Sequence, residues 1–239
     1  MCTLEKRGDI FYLTLTGSDE HRLSPTLIAS LLAALEEAAS QSSRGSVLVT
    51  TSAGKFFSNG FDLAWAQSAG SPAGAQQRLH QMVDAFQPVV AALISLPMPT
   101  IAAVQGHAAA AGLLLALSHD YVLMRRDRGV LYMSEVDIGL TLPEYFGAVV
   151  RAKVSSAAAR RDVLLRGRKV RGEEAVAMGI VEGAHDDEDG VAGAGGQLAE
   201  ELAGRRWDGE VYAEIRKGLY PELCGVLGLA TKAIATPRL

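Results

Sequence analysis

The sequence predicts an α/β fold, and three observations carry that expectation. Short apolar runs recur at residues 10–16 (IFYLTLT), 46–51 (SVLVTT) and 100–104 (TIAAV), rich in the residues that suit strands. Between them lie longer stretches with apolar residues at helical spacing, such as Leu27, Leu31, Ala34, Leu35 and Ala38. Strands that lack a polar face belong in a sheet covered by helices on both sides. No internal repeat or sharp linker divides the 239 residues, a length that suits one sizeable core or a core with a small appendage.

Each element has its own reason. Residues 2–6 and 10–16 can pair as strands across Arg7-Gly8-Asp9, and a polar loop at 17–24 then contains His21 and Arg22. Ser24-Pro25 opens a helix over 26–39, with Ser as cap and Pro in the first turn. After the strand at 46–51 comes Gly54-Lys55-Phe56-Phe57-Ser58-Asn59-Gly60-Phe61-Asp62-Leu63. Here Asn59-Gly60 marks a turn and Asp62 is placed to cap the next helix. Residues 64–75, rich in Gly, Ser and Gln, read as a mobile polar connection. A helix over 76–96 ends at Pro97-Met98-Pro99.

Beyond the strand at 100–104, residues 121–124 and 130–133 are extended. Helices occupy 144–154 and 155–165, then come an extended stretch at 166–170 and a helix over 172–178 ended by Gly179. The acidic run at 185–190 (HDDEDG) reads as a solvated loop, without calcium-loop spacing. A helical tail starts near 191, broken at Gly193, Gly195 and Gly196 and again near Pro221. The expected organisation is a core over 1–181, with a helical layer beginning near 155, and a C-terminal helical segment over 182–239.

Composition narrows the function. With 49% apolar and 21% charged residues the chain is globular, and a net charge of −4 argues against a general nucleic-acid binder. Cys2 and Cys224 cannot form a disulfide framework, so a reducing compartment is expected. The N-terminal residues lack an apolar signal core, and the apolar runs at 88–96 and 113–117 are too short to span a bilayer. Pro237-Arg238-Leu239 resembles the peroxisomal address ending in S-K-L. No G-x-G-x-x-G comes after the first strand, and there is no P-loop, G-x-S-x-G elbow, H-E-x-x-H or cysteine pair. No metal site or dinucleotide cofactor is therefore expected.

The chain is organised around residues 100–120, TIAAVQGHAAAAGLLLALSHD. A strand turns at Gln105-Gly106-His107 and runs through four alanines and Gly112 into Leu113-Leu114-Leu115-Ala116-Leu117. Such a helix is buried, and its first N–H groups have no intrahelical partner. Small residues there suit either tight packing or close approach of a negatively charged oxygen. Phe57-Ser58-Asn59-Gly60 is a similar turn after a buried strand, and the two together can hold one oxygen. Glu135 and Glu144 flank Ile138-Gly139-Leu140-Thr141-Leu142-Pro143 in apolar surroundings, where a carboxyl acquires a raised pKa and becomes a usable base.

These segments resemble the crotonase (enoyl-CoA hydratase/isomerase) superfamily over roughly residues 4–181. The segment 55–63 is similar to its F-[SA]-x-G-x-D-[LI] turn, and Ala103 to Gly112 to its A-V-x-G-x-A-x-G-G-G turn. Gly167-Arg168-Lys169-Val170 to Glu174-Ala175 and Gly179-Ile180-Val181 resemble a later family segment. The resemblance implies a spiral of ββα turns with a C-terminal helical trimerisation layer, assembled as a homotrimer or a dimer of trimers. It also implies an acyl-CoA thioester substrate, with coenzyme A as part of the substrate and no separate cofactor.

The implied oxyanion donors are the N–H groups of Ser58 and Ala111. The implied substrate-binding residues are Ser58, Asn59, Gly60, Phe61 and Asp62, then Ala108, Ala109, Ala110 and Ala111, with His21 and Arg22 at the nucleotide and Lys55 nearby. Ala110 and Ala111 stand where the family has glycines. Hydratases of this family use two glutamates; one matches Glu135, while the other position holds Leu114. A single base suffices to move a proton from C2 to C4, the Δ3,Δ2-enoyl-CoA isomerase reaction of fatty-acid β-oxidation. Family members place that base at the position of either Glu135 or Glu144, and both are occupied here. The alternatives are a hydratase, a dienoyl-CoA isomerase, or a non-catalytic acyl-CoA-binding protein. With the fold assigned, the tail at Pro237, Arg238 and Leu239 implies an import receptor and a peroxisomal location.

Overall fold

The chain opens as a hairpin. In this computed structural model, which describes residues 1–233, β1 (Cys2–Arg7) pairs antiparallel with β2 (Ile10–Leu15), placing Cys2 opposite Leu15 and Arg7 opposite Ile10. α1 (Pro25–Ser40) starts as its Ser-Pro signal requires: Ser24 Oγ accepts the Leu27 N–H at 3.2 Å. Its face of Leu27, Leu31, Ala34, Leu35 and Ala38 is buried.

From there the chain alternates between two sheets. β3 (Val47–Ser52) enters the larger sheet and β4 (Phe56–Ser58) the smaller, before α2 (Leu63–Gln67) and α3 (Pro72–Ser95). β5 (Thr100–Val104) and β6 (His107–Ala109) repeat the step before α4 (Ala111–Leu117), and β7 (Tyr121–Arg125) and β8 (Val130–Tyr132) repeat it before α5 (Glu144–Lys153). The chain continues through α6 (Ala157–Leu165), β9 (Val170–Arg171), α7 (Gly172–Ala177), β10 (Gly183–His185), α8 (Glu188–Gly204), α9 (Gly209–Leu219) and α10 (Pro221–Val226). The larger sheet has the order β1-β2-β3-β5-β7-β10 and the smaller β4-β6-β8-β9, parallel except at β1–β2 and β8–β9. This is the ββα spiral that the family resemblance implies.

The period-2 alternation of the strands divides the core in two. Leu48, Ala102, Val104, Val122 and Met124 join the cluster that includes α1, α3 and α4. Val47, Val49, Ile101, Ala103 and Leu123 instead meet Val191, Ala199 and Leu202 of α8. α8 thus covers one face of the larger sheet, and β10 extends that sheet beside β7, so the core continues past residue 181.

Three stretches depart from expectation. Residues 64–75 are not a polar connection: Asp62 caps α2, and Ser71-Pro72 is a second Ser-Pro start, with Ser71 Oγ accepting from the Gly74 N–H at 3.1 Å. The acidic run at 185–190 is a helix start, where Asp187 accepts the Gly190 N–H at 2.8 Å. The glycines of α8 do not interrupt it, and Gly195 lies buried on the side facing the sheet, where a Cβ would make ordinary contact with Ala103 Cβ at 3.6 Å.

α9 docks through Arg216, which is only 3% exposed. Its guanidinium meets Asp120 at 2.6 and 2.7 Å and the carbonyls of Leu96 and Met98 at 2.8 and 2.5 Å, beyond the end of α3. Burial alone would raise the Asp120 carboxyl, but Arg216, with Lys153 and the Thr100 N–H, holds the group below its ordinary pKa. Pro237, Arg238 and Leu239 lie outside the described residues.

Candidate active site

Two turns meet at the C-terminal ends of β4 and β6, whose register sets Phe56 opposite His107 and Ser58 opposite Ala108. The first turn of α4 sits directly on Ser58. A Cβ on Gly112 would lie 2.3 Å from the Ser58 carbonyl oxygen, so only glycine fits. Gly60, at φ +72°, approaches from the other side: a Cβ there would lie 3.1 Å from Ala110 Cβ and 3.6 Å from the Ala111 nitrogen. Residues 58–61 and 109–112 are therefore in backbone contact.

Accounting for the N–H groups locates the donors. The Asn59 N–H donates to Glu20 O at 2.9 Å and the Asp62 N–H to Leu23 O at 3.3 Å, while the Phe61 N–H between them has no partner among the described residues. The Ala110 N–H donates to Tyr132 O at 2.9 Å, and the Leu113 and Leu114 N–H groups donate to Ala110 O. The Ala111 N–H, at the first helical position, has no partner among the described residues either. Ser58, the other expected donor, belongs to β4 and pairs with Ala108 in the ladder to β6. Ser58 is fully buried beneath Gly112, and its hydroxyl donates to His21 O at 2.8 Å. Beside Ala111, the Gly60 and Phe61 N–H groups are both without a partner among the described residues, and of these two residues Phe61 lines the cleft described below.

Ala110 replaces a family glycine at a conformational penalty. Its φ of +50° and ψ of −125° lie in a region that glycine adopts without strain. Ala111 has helical geometry and avoids that strain.

His21 and Arg22 brace this turn. His21 is 5% exposed and its Nδ1 lies 2.8 Å from Phe56 O, so its side chain is buried and already engaged. Arg22, about one-third exposed, pairs with Glu20 at 2.5 Å and reaches Phe61 O at 3.4 Å. Asp62 Oδ1 caps α2 by accepting from the Trp65 N–H at 3.0 Å. His107 packs edge-on against Phe56 with ring centroids 5.1 Å apart, away from the two free N–H groups. Leu114 is fully buried, so α4 brings no acid.

Only one of the two candidate acids faces the site. A cleft of about 650 Å³ is lined by Phe61, Leu63, Val83, Glu135, Leu142 and Phe146, among others. Glu135 lies just beyond β8, whose Tyr132 carbonyl holds the Ala110 N–H. Its Oε2 is buried with no hydrogen-bond partner. Burial raises the Glu135 carboxyl above its ordinary pKa, against smaller opposing contributions from its own and the Ser134 backbone N–H. Glu144, at the start of α5, is exposed and lies outside that lining, although Pro143 and Phe146 belong to it.

Residues 5–208 match the family described as enoyl-CoA hydratase/isomerase. The chain belongs to the enoyl-CoA hydratase/isomerase family. Within the family, it is 69% identical over the full length of both chains to "Enoyl-CoA delta isomerase 2, peroxisomal" of Arabidopsis thaliana. It is 53% identical to "Enoyl-CoA delta isomerase 1, peroxisomal" of the same plant, covering 93% of this chain and 91% of the relative. A probable enoyl-CoA hydratase of Mycobacterium tuberculosis superposes with a TM-score of 0.84 at 23% identity, covering 95% of this chain and 91% of that one, and shares the family fold.

Proposed function

We propose that this chain is a Δ3,Δ2-enoyl-CoA isomerase of fatty-acid β-oxidation, with Glu135 as its base. One observation carries the mechanism: a buried, unpartnered carboxylate oxygen in a cleft that also contains Phe61, with no second acid on α4. The thioester carbonyl oxygen accepts from the Phe61 and Ala111 N–H groups. Glu135 removes a C2 proton, and the electron pair moves onto that oxygen as a dienolate. Each N–H is worth about 3 kcal/mol to this charge, by the scale of other oxyanion holes. The dienolate then takes the proton back from Glu135 at C4, and the double bond moves from C3 to C2. Glu135 returns at C4 the proton it took from C2, so these steps call on no further group, and coenzyme A enters as part of the substrate.

The delta isomerase names of the relatives support this reading over a hydratase or a dienoyl-CoA isomerase, each of which wants a further acid where Leu114 stands. Two of those relatives are named peroxisomal, which supports that location for this chain. Leu165, Ile215 and Leu219 expose large apolar side chains on α6 and α9, which suits the expected homotrimer or dimer of trimers. The test is an assay of the purified protein on 3-hexenoyl-CoA, monitoring the conjugated 2-enoyl product. Product formation is expected. Hydration of 2-hexenoyl-CoA without isomerisation would make it a hydratase, and acyl-CoA binding without either reaction would make it a binding protein.

A further inference from the structure

A second cleft opens at the other end of the smaller sheet, and we propose that it binds a phosphate group, free or carried by a small molecule, apart from the acyl-CoA site. β4, β6 and β8 run parallel, so Phe61, Ala111 and Glu135 lie beyond one end of the strands. Lys55, Gly106 and the turn at 126–129 lie at the other. The cleft there has a volume of about 490 Å³, within the range of small-molecule sites. Its lining brings together Lys55, Arg125, Arg128 and Arg171 with Asp127 and Glu188, and shares no residue with the cleft around Glu135.

The charges in this cleft do not cancel. Arg125 takes both carboxylates, meeting Asp127 at 2.5 Å and Glu188 at 3.7 Å. Arg128 approaches Asp127 only at 3.9 Å. Lys55 and Arg171 have no ion pair among the described residues, and the Lys55 ammonium lies 5.4 Å from the centre of its neighbour Phe56. An excess of positive charge therefore faces the cavity in a chain whose net charge is −4. The same field reaches His107 in the cleft wall, where burial first and then Lys55 and Arg171 hold the imidazole below its ordinary pKa. Guanidinium forks set around a cavity of this size match the tetrahedral oxygens of a phosphate. Asp127 and Glu188 in the wall oppose an extended polyanion such as nucleic acid.

Calorimetric titration of the full protein with inorganic phosphate and with AMP tests this, beside an Arg128→Ala/Arg171→Ala variant. Saturable binding of at least one of them is expected, weakened by roughly a hundredfold in the variant, at about tenfold for each lost charged contact. Tighter AMP binding would assign the ester as the ligand, and tighter inorganic phosphate the free ion; either supports the site. The variant is expected to keep its KM for 3-hexenoyl-CoA, and saturating hexanoyl-CoA to leave phosphate binding unchanged. Absence of binding, equal affinity in the variant, or displacement by hexanoyl-CoA would overturn the proposal. Displacement would place the phosphate on the substrate's own path.

Discussion

Gly112→Ala probes the junction of the two turns. The new Cβ would lie 2.3 Å from the Ser58 carbonyl oxygen, against the 3.4 Å at which ordinary contact begins. The obstacle is backbone, so the first turn of α4 and the end of β4 must part by about 1 Å. That movement separates the Ala111 N–H from the Phe61 N–H, and both must reach one oxygen. A misplacement of this size costs on the order of 10²-fold in rate, comparable to losing one oxyanion donor. The overlap also destabilises the core by about 1–3 kcal/mol. The assay is kcat on 3-hexenoyl-CoA well below the variant's Tm, with circular dichroism to verify folding. We expect kcat to fall roughly 10²-fold. A folded Gly112→Ala protein with wild-type kcat would refute the pairing of these turns as the oxyanion site.

Four further predictions concern Ala110, Glu135 and Arg216. Ala110→Gly relieves a strain of about 1–3 kcal/mol and adds about 0.4–1 kcal/mol of unfolded-chain freedom, so thermal unfolding should show a net gain of about 1 kcal/mol. The Glu135 carboxyl is raised above its ordinary value of 4.5 and acts only when ionised, so kcat/KM should fall with acid at a midpoint above that value. A folded pKa above the unfolded one favours folding at low pH, and that contribution is lost as pH rises through the folded pKa. Glu135→Gln should therefore be at least as stable as wild type at neutral pH in a urea titration. Arg216→Met leaves Asp120 buried without its cation and should lower stability by about 3–5 kcal/mol in the same measurement.

Local chemistry made much of this fold legible. Ser24-Pro25, the continuous apolar strands and the capping position of Asp62 depend on neighbours in sequence, and they stand where those rules place them. Ser71-Pro72 carries the same start signal as Ser24-Pro25 but lies inside a stretch whose Gly, Ser and Gln content suggests a connection. The glycines of α8 read as breaks because propensity counts only their flexibility, whereas the helix is held by packing of Val191, Ala199 and Leu202 on the larger sheet.

The site was half legible. Sequence marks two turns able to hold one oxygen and two candidate acids, and the family resemblance implies Ser58 as a donor. Which N–H is free depends on the Glu20 and Leu23 carbonyls, which reach the turn from about forty residues away and engage Asn59 and Asp62. Likewise nothing local distinguishes Glu135 from Glu144. The difference arises where β8 and the start of α5 meet the cleft wall, which buries one carboxyl and leaves the other in water.

The most direct test is therefore kcat on 3-hexenoyl-CoA for Glu135→Gln and Glu144→Gln side by side. Loss of a general base costs about 10²–10⁴-fold, and the account predicts that loss in Glu135→Gln alone, with Glu144→Gln near wild type. An inactive Glu144→Gln beside an active Glu135→Gln would contradict it and move the base to the start of α5.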